Sequence, residues 1–452
     1  MVHRGREVER RLEFDVIEAA LGRDQLMPFP RRDQDQASGA DRQAAGVVLH
    51  LARPLLDEVE EGPVRWRLEL DLLMTLGGCL RTLKGWSDEE TIETVFRARR
   101  LCDQMDDSPY RGAIGLGEYT IYLLRGEMTK AIECGQELLH LAETDHSGVE
   151  QHIGHRAVGA TLVHMGRLEE AHRHLEAGLA LYDPATEEQI VHKIGYFSGV
   201  TFHSYMAHVL WHFGYADKAL KYLDHSISLT QKLQHPPSQA FALFQASFHH
   251  SRSMRNDVKA LRLASEGFLV LAREGGFDTW SAFVNSQRAC LAIESGDTSG
   301  ALEKVLQNLE WWKGRGGVLM VPAFYEMLAT TQQALGRKDD AMRSIDTAIE
   351  WSDRYGEQIV LAELYRYKGD LLGSSGSYEG QVTCLEKALT IARDQSSRAL
   401  ELRAATSLAR LWADAGDRHK AEDLLGPLYG WFSEGFDTID LKQAKALLDE
   451  LA

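Results

Sequence analysis

The sequence predicts an all-α solenoid, a row of helix pairs stacked into a right-handed superhelix, and three observations carry that prediction. Proline is scarce, 10 of 452 residues, against about 5% in an average chain, so helices are rarely interrupted. Apolar residues make up 44% and charged residues 26%, the balance of a chain that buries a core rather than staying disordered. A glycine followed five residues later by an alanine recurs down the chain with a period near 40.

The repeat fixes the elements in order. Gly126 pairs with Ala131, Gly166 with Ala171, Gly214 with Ala219, Gly296 with Ala301, Gly336 with Ala341 and Gly416 with Ala421. Gly376 has Gln381 in the alanine place, and one repeat carries Arg255 before Ala260. Successive steps are 40, 48, 41, 41, 40, 40 and 40 residues. The glycine suits a left-handed residue ending one helix. Acids such as Asp297, Asp339 and Asp417 suit the start of the next. The alanine sits where two helices touch, and Leu175, Leu223, Val305, Ile345, Leu385 and Leu425 continue its stripe one turn on.

The helix before each glycine has a matching pattern. Small residues (Gly159, Ala207, Ala289, Ala329, Gly369, Ala409) stand seven positions upstream, and Tyr122, Leu162, Leu210, Leu372 and Trp412 stand four upstream. Small, large, glycine, alanine is the tetratricopeptide pattern, here with about 40 residues per unit instead of about 34. Nine helix pairs are expected from about Val64 to Phe432. The expected organisation is an N-terminal helix and polar linker over 1–40, a tetratricopeptide-like solenoid over 41–436 and a C-terminal capping helix over 437–452. In that cap Leu441, Ala444, Leu447, Leu448 and Leu451 turn inward, while Asp440, Lys442, Lys445, Asp449 and Glu450 face water.

Charge and cysteine usage exclude several classes. Fifty basic against 67 acidic residues give a formal charge of −17, which disfavours direct contact with nucleic acid. Five scattered cysteines form no disulfide framework, and the arginine-rich N-terminus has no apolar segment behind it, so a cytoplasmic location is expected. Residues 194–216 lack Asp, Glu, Lys and Arg. Their histidines and glycines fit a helix packed inside a larger array better than a membrane span.

The C-terminal end resembles a known family. Tyr429-Gly430-Trp431-Phe432, then Glu434-Gly435-Phe436-Asp437-Thr438, looks like the tetratricopeptide tail of bacterial signal-transduction ATPases and cyclase-like regulators. Tyr182-Asp183-Pro184, Tyr365 to Leu372 and Leu400 to Trp412 are similar to that tail as well, and the resemblance spans roughly residues 41–452. It implies a place in bacterial signalling, as a detached sensor arm. The chain has no Gly-x-x-x-x-Gly-Lys-Ser/Thr loop to cradle a phosphate, so ATPase or cyclase activity does not carry over. Phe197-Ser198-Gly199-Val200 stands where such relatives tend to have Asp-Pro-Gly-Val.

No residue pattern points to catalysis. His208 and His212, four apart, and His203 could approach a metal, but no third ligand or His-Glu-x-x-His motif accompanies them, and no cofactor is expected. Glu169–Glu170, Asp339–Asp340 and Glu187–Glu188 read as solvated charges at helix starts or in a loop, and Trp311–Trp312 as a repeat interface. The insertion near 183–191 is followed by two nearly uncharged first helices. In such arrays the first helix of each pair lines the concave groove. Tyr196, Phe197, His203, Tyr205, His208, Phe241, Phe244, Phe248 and His249 are therefore the candidate groove floor, set against ordinary packing between repeats. The expected function is a non-enzymatic scaffold or adaptor holding a protein or peptide partner, with no membrane partner. The alternative is a small-ligand or peptide sensor regulating a partner ATPase, cyclase or transcription regulator. A scaffold implies an open groove, a sensor a closed one.

Overall fold

A computed structural model describes residues 56–452 apart from 58, 106–109, 146–147, 184, 186–196, 234, 253–257, 276–277 and 295–299. The segments expected over 1–40 and at the solenoid's beginning up to 55 lie outside the described residues. Within them are nineteen helices and no strand. Nine consecutive pairs are formed by α1 (Pro63–Lys84) with α2 (Glu89–Cys102), α3 (Arg111–Leu124) with α4 (Met128–Asp145), and α5 (Gly148–His164) with α6 (Leu168–Ala180). They continue as α7 (Ser198–His212) with α8 (Ala216–Leu233), α9 (Pro236–Arg252) with α10 (Val258–Gly275), and α11 (Asp278–Glu294) with α12 (Ala301–Gly314). The last three are α13 (Val321–Ala334) with α14 (Lys338–Tyr355), α15 (Leu361–Ser374) with α16 (Tyr378–Asp394), and α17 (Arg398–Asp414) with α18 (Arg418–Trp431). Helix α19 (Ile439–Leu451) closes the row against α17 and α18. This is a tetratricopeptide-like α-solenoid.

The turn within each pair is built as the glycine spacing requires. Gly126 has φ 71° and Gly416 φ 93°, where a β-carbon would be strained. The next amide reaches back to close the helix: Glu127 N to Tyr122 O at 2.8 Å, Asp417 N to Trp412 O at 2.8 Å. That is a Schellman closure, which satisfies carbonyls the helix end would orphan. Asp417 also caps α18, its carboxylate accepting from Lys420 N at 3.4 Å.

The alanines sit at the helix crossings. Ala131, Ala171, Ala219, Ala341 and Ala421 are completely buried. The exception explains itself: Gln381 occupies the alanine place, and a β-carbon on Gly373 of α15 would lie 2.2 Å from its Oε1. The glycine makes the room that the larger side chain needs. Helix α19 is capped by Thr438, whose hydroxyl accepts from Leu441 N, and Leu441, Ala444, Leu447 and Leu451 are buried. Asp440 departs from expectation. Instead of facing water it pairs with Arg403 of α17 at 2.9 Å, so the cap is fastened by charge as well as by apolar contact.

No helix among the described residues is long and apolar enough to cross a membrane. The uncharged α7 is instead enclosed by protein, with thirteen of its fifteen residues buried.

Candidate functional site

The last carbonyls of a helix have no intrahelical donor and must find partners elsewhere. In α3 such a carbonyl belongs to Leu124. It accepts from Val318 N at 2.9 Å and Leu319 N at 3.1 Å, in the loop leading into α13. His164, at the same position of α5, accepts from Gln358 N at 2.9 Å and Ile359 N at 3.2 Å, in the loop leading into α15. His212, the matching residue of α7, uses its ring: Nδ1 lies 2.8 Å from Ser397 Oγ, just before α17. The second, third and fourth pairs thus meet the seventh, eighth and ninth.

A fourth contact extends the seam. The Glu434 carboxylate accepts from Asp217 N and Lys218 N, each at 3.0 Å, a negative charge at the N-terminus of α8. Asp217 in turn accepts from Gly435 N at 3.2 Å. The row therefore winds once in five pairs, and successive turns touch edge to edge. The first three contacts join the C-terminal edge of a first helix to the loop entering another first helix, and the fourth joins the start of α8 to the loop entering α19. Along this seam the loops entering α13, α15 and α17 are bonded to the ends of α3, α5 and α7.

Close approach explains a second glycine requirement. A β-carbon on Gly126 would come within 2.6 Å of Val318, on Gly166 within 2.6 Å of Gln395, and on Gly214 within 2.8 Å of Trp431. Their counterparts Gly336, Gly376 and Gly416 have nothing within 4 Å. The glycine spacing read from sequence thus covers two populations, one serving the turn alone and one serving the seam as well.

The candidate groove residues divide in the same way. Tyr205 lies 6.1 Å from the His164 ring edge, 6.5 Å from His208 and 6.3 Å from Phe241. His208 Nε2 is 3.3 Å from Gln245 Oε1 of α9. Tyr205 and Phe241 are half-buried and adjoin across α7 and α9, while His208 beside them is as buried as Phe197 and Phe244. Phe197 and Phe244 are buried. Phe197 packs with Val200 and Ala242, and Phe244 meets Phe283 edge-on at 5.6 Å. His203 turns toward the second helix of its own pair, 4.5 Å from the His225 ring, with Nδ1 2.6 Å from Gly199 O. Phe248 and His249 lie in α9, but their side chains, like all of Tyr196, fall outside the described residues.

Three polar groups inside the array have no counterpart in the sequence reading. His152 of α5 donates Nδ1–H to Gly178 O at 2.9 Å, and its Nε2 lies 2.6 Å from Ser198 Oγ. A carbonyl can only accept, so the ring is the Nδ1–H tautomer, and burial pushes its pKa down to about 4. Arg366 of α15 binds Glu363 at 2.7 Å and Asp370 at 2.6 Å. Beside it Arg403 holds Asp440 and lies over the Trp211 ring at 5.2 Å, tying α7 of one turn to α17 and α19 of the next. Arg156 of α5 is the third. It is 9% exposed, with no hydrogen-bond partner on Nε, and it lies 5.7 Å from the Tyr119 ring centroid. Its signal was present: a lone charge inside the apolar run Ile153 to Val163.

Among the described residues no group of three or more His, Cys, Asp or Glu could hold a metal ion. The cysteines are free thiols, and burial pushes Cys134 up to about 12, far from the thiolate a nucleophile needs. Glu170 is held by Arg167 at 2.6 Å and Asp340 by Arg337 at 2.5 Å. Trp312 is buried and donates to Leu319 O at 2.9 Å.

No family model and no curated protein matches the chain. Among solved structures it is similar to the apo form of the quorum sensor NprR from B. thuringiensis, at 13% identity, covering 80% of this chain and 97% of that one, TM-score 0.45. It is also similar to a Signal Transduction ATPase with Numerous Domains protein with a tetratricopeptide repeat sensor from Pyrococcus horikoshii, at 16% identity and TM-score 0.40. That match covers 89% of this chain, which spans 56% of the ATPase's length. A Rap protein complexed with competence and sporulation factor matches at 12% identity over 86% of this chain and 97% of that one, TM-score 0.37. Likeness this loose carries no argument about function, which rests on the geometry alone.

Proposed function

We propose that the chain is a non-enzymatic binding module of bacterial cytoplasmic signalling that holds a peptide or protein segment against its first helices. The observation that carries this reading is the half-buried pair Tyr205 and Phe241, backed by the buried His208 and Gln245. It joins aromatic area to a few polar groups and sits on elements fixed by packing on both sides. Absence of an assembled acid, base, nucleophile or metal group among the described residues is compatible with it but does not carry it.

The seam favours the sensor form over a passive scaffold. An open groove would bind without changing its own shape. Here a segment bound against the first helices bears on two turns that hold each other through few hydrogen bonds, so occupancy biases the seam and hence whatever partner reads the outer face.

The test is capture of partners by the immobilised chain, compared across variants. Tyr205→Ala with Phe241→Ala should abolish capture, while Val270→Ala on the exposed face of α10 should leave it intact. Ligand should also change hydrogen exchange at Val318, Leu319, Gln358 and Ile359. Capture that survives the interior pair and fails on the outer variant would overturn the reading.

A further inference from the structure

Arg156 is a cation without an anion. It sits mid-helix in α5, nine-tenths buried, with no ion pair or hydrogen bond to any described residue. An arginine cannot shed its proton to escape burial, and a buried charge persists where something pairs it. The nearest carboxylate along its own helix, Glu150, is turned away, its Oε1 packed against Gly112 of α3. Around the guanidinium stand the Tyr119 ring of α3 and, within reach of its charge, the phenol of Tyr205 of α7. His152, on the same helix, is held neutral by burial, which outweighs its bond to Gly178, and by the nearby charge of Arg156. Three adjacent first helices thus place one positive charge and two phenols together, in a chain whose formal charge is −17.

We propose that Arg156 is the anchor for a carboxylate of the bound ligand, a peptide C-terminus or an acidic side chain, with the Tyr119 ring beneath the guanidinium and the Tyr205 hydroxyl as a neighbouring donor. The inference rests on the binding reading above and names the chemistry of its ligand. A carboxylate fits better than a phosphate because the site offers a single charge. Its planar fork matches the two oxygens of a carboxylate, and among the described residues Arg156 is the cation that acts on Tyr119 and Tyr205.

The experiment uses the full chain and sodium glutarate as probe, against sodium chloride and sodium phosphate at matched ionic strength. Glutarate should raise the melting temperature of the wild type by about 2 °C or more. Arg156→Met should show no glutarate response, and without glutarate should melt at or above the wild type. Arg156→Lys, keeping the charge but losing the fork, should respond weakly. Should Arg156→Met fail to fold, the wild type alone decides: one arginine Nε–H resonance should move with glutarate and not with chloride. No response in the wild type, an equal response in Arg156→Met, or a larger response to phosphate would each overturn the proposal. Partner capture lost in Tyr205→Ala with Phe241→Ala alongside a silent Arg156 would leave the binding reading standing and remove only the carboxylate.

Discussion

The imidazole of His212 and the hydroxyl of Ser397, 185 residues apart in sequence, lie 2.8 Å apart in the buried seam between the two turns. Removing either group leaves the other buried and short of a partner, which costs about 1–3 kcal/mol. His212→Ala and Ser397→Ala should each lower stability by about that amount, and the double variant should lose less than the sum. Denaturant midpoints for the four proteins check it. Strict additivity would place the two residues apart in solution.

Gly126→Ala should cost more than Gly416→Ala. Both glycines have positive φ, so each alanine carries about 1–2 kcal/mol of backbone strain. Only at Gly126 does the new methyl also meet another turn, at Val318, adding about 1–3 kcal/mol of overpacking. Equal losses in a side-by-side thermal melt would mean the seam is open in solution.

Phe244→Ser should lower the melting temperature rather than act silently. The ring is buried in a row with Phe283 and Phe324, with centroids 5.6 and 5.3 Å apart. Deleting such an aromatic costs about 3–5 kcal/mol. An unchanged melting curve would return Phe244 to an exposed groove.

The pH dependence follows from the buried histidines. His152 and His235 are pushed down to about 4, below the unfolded value of about 6.5. The neutral forms belong to the fold, so stability is full above about pH 6.5 and is lost as pH falls toward 4. Glu118, raised by burial to about 7, works in the opposite sense as pH rises. A comparison of variants therefore isolates the histidine. His152→Gln should lose stability at neutral pH but show a shallower decline between pH 6.5 and 4. The slope of unfolding free energy against pH, measured for both proteins, decides.

Most of the architecture was legible because it is local. A Gly-to-Ala step within a pair depends on residues a few positions apart, and it recurs in six of the nine pairs, with two further pairs departing at one position. Gln381 shows the limit of that logic: its neighbour Gly373 accommodates it, but only the fold shows that they touch. The seam was not legible, since nothing in Leu124 or His164 announces a carbonyl bonded 194 residues downstream. Asp440 was misread for the same reason, its partner Arg403 lying on a different helix. Tyr205, His208 and Phe241 were named for their lack of nearby charge, but composition could not tell how deeply each candidate lies, and His208 proves as buried as Phe197 and Phe244. Arg156 went unnoticed because a single arginine in a helix is ordinary until its surroundings are known.

A linear repeat array unravels from its ends, because each unit leans only on its neighbours. The His212–Ser397 seam breaks that rule. Deleting the ninth pair and the cap would strip the fourth pair of a wall as well as shorten the chain, so trimming by whole repeats should fail abruptly rather than in equal steps. For anyone dissecting the protein, the smallest cooperative piece is a full loop of the coil with its overlap, and two halves cut between the pairs should regain order only when mixed.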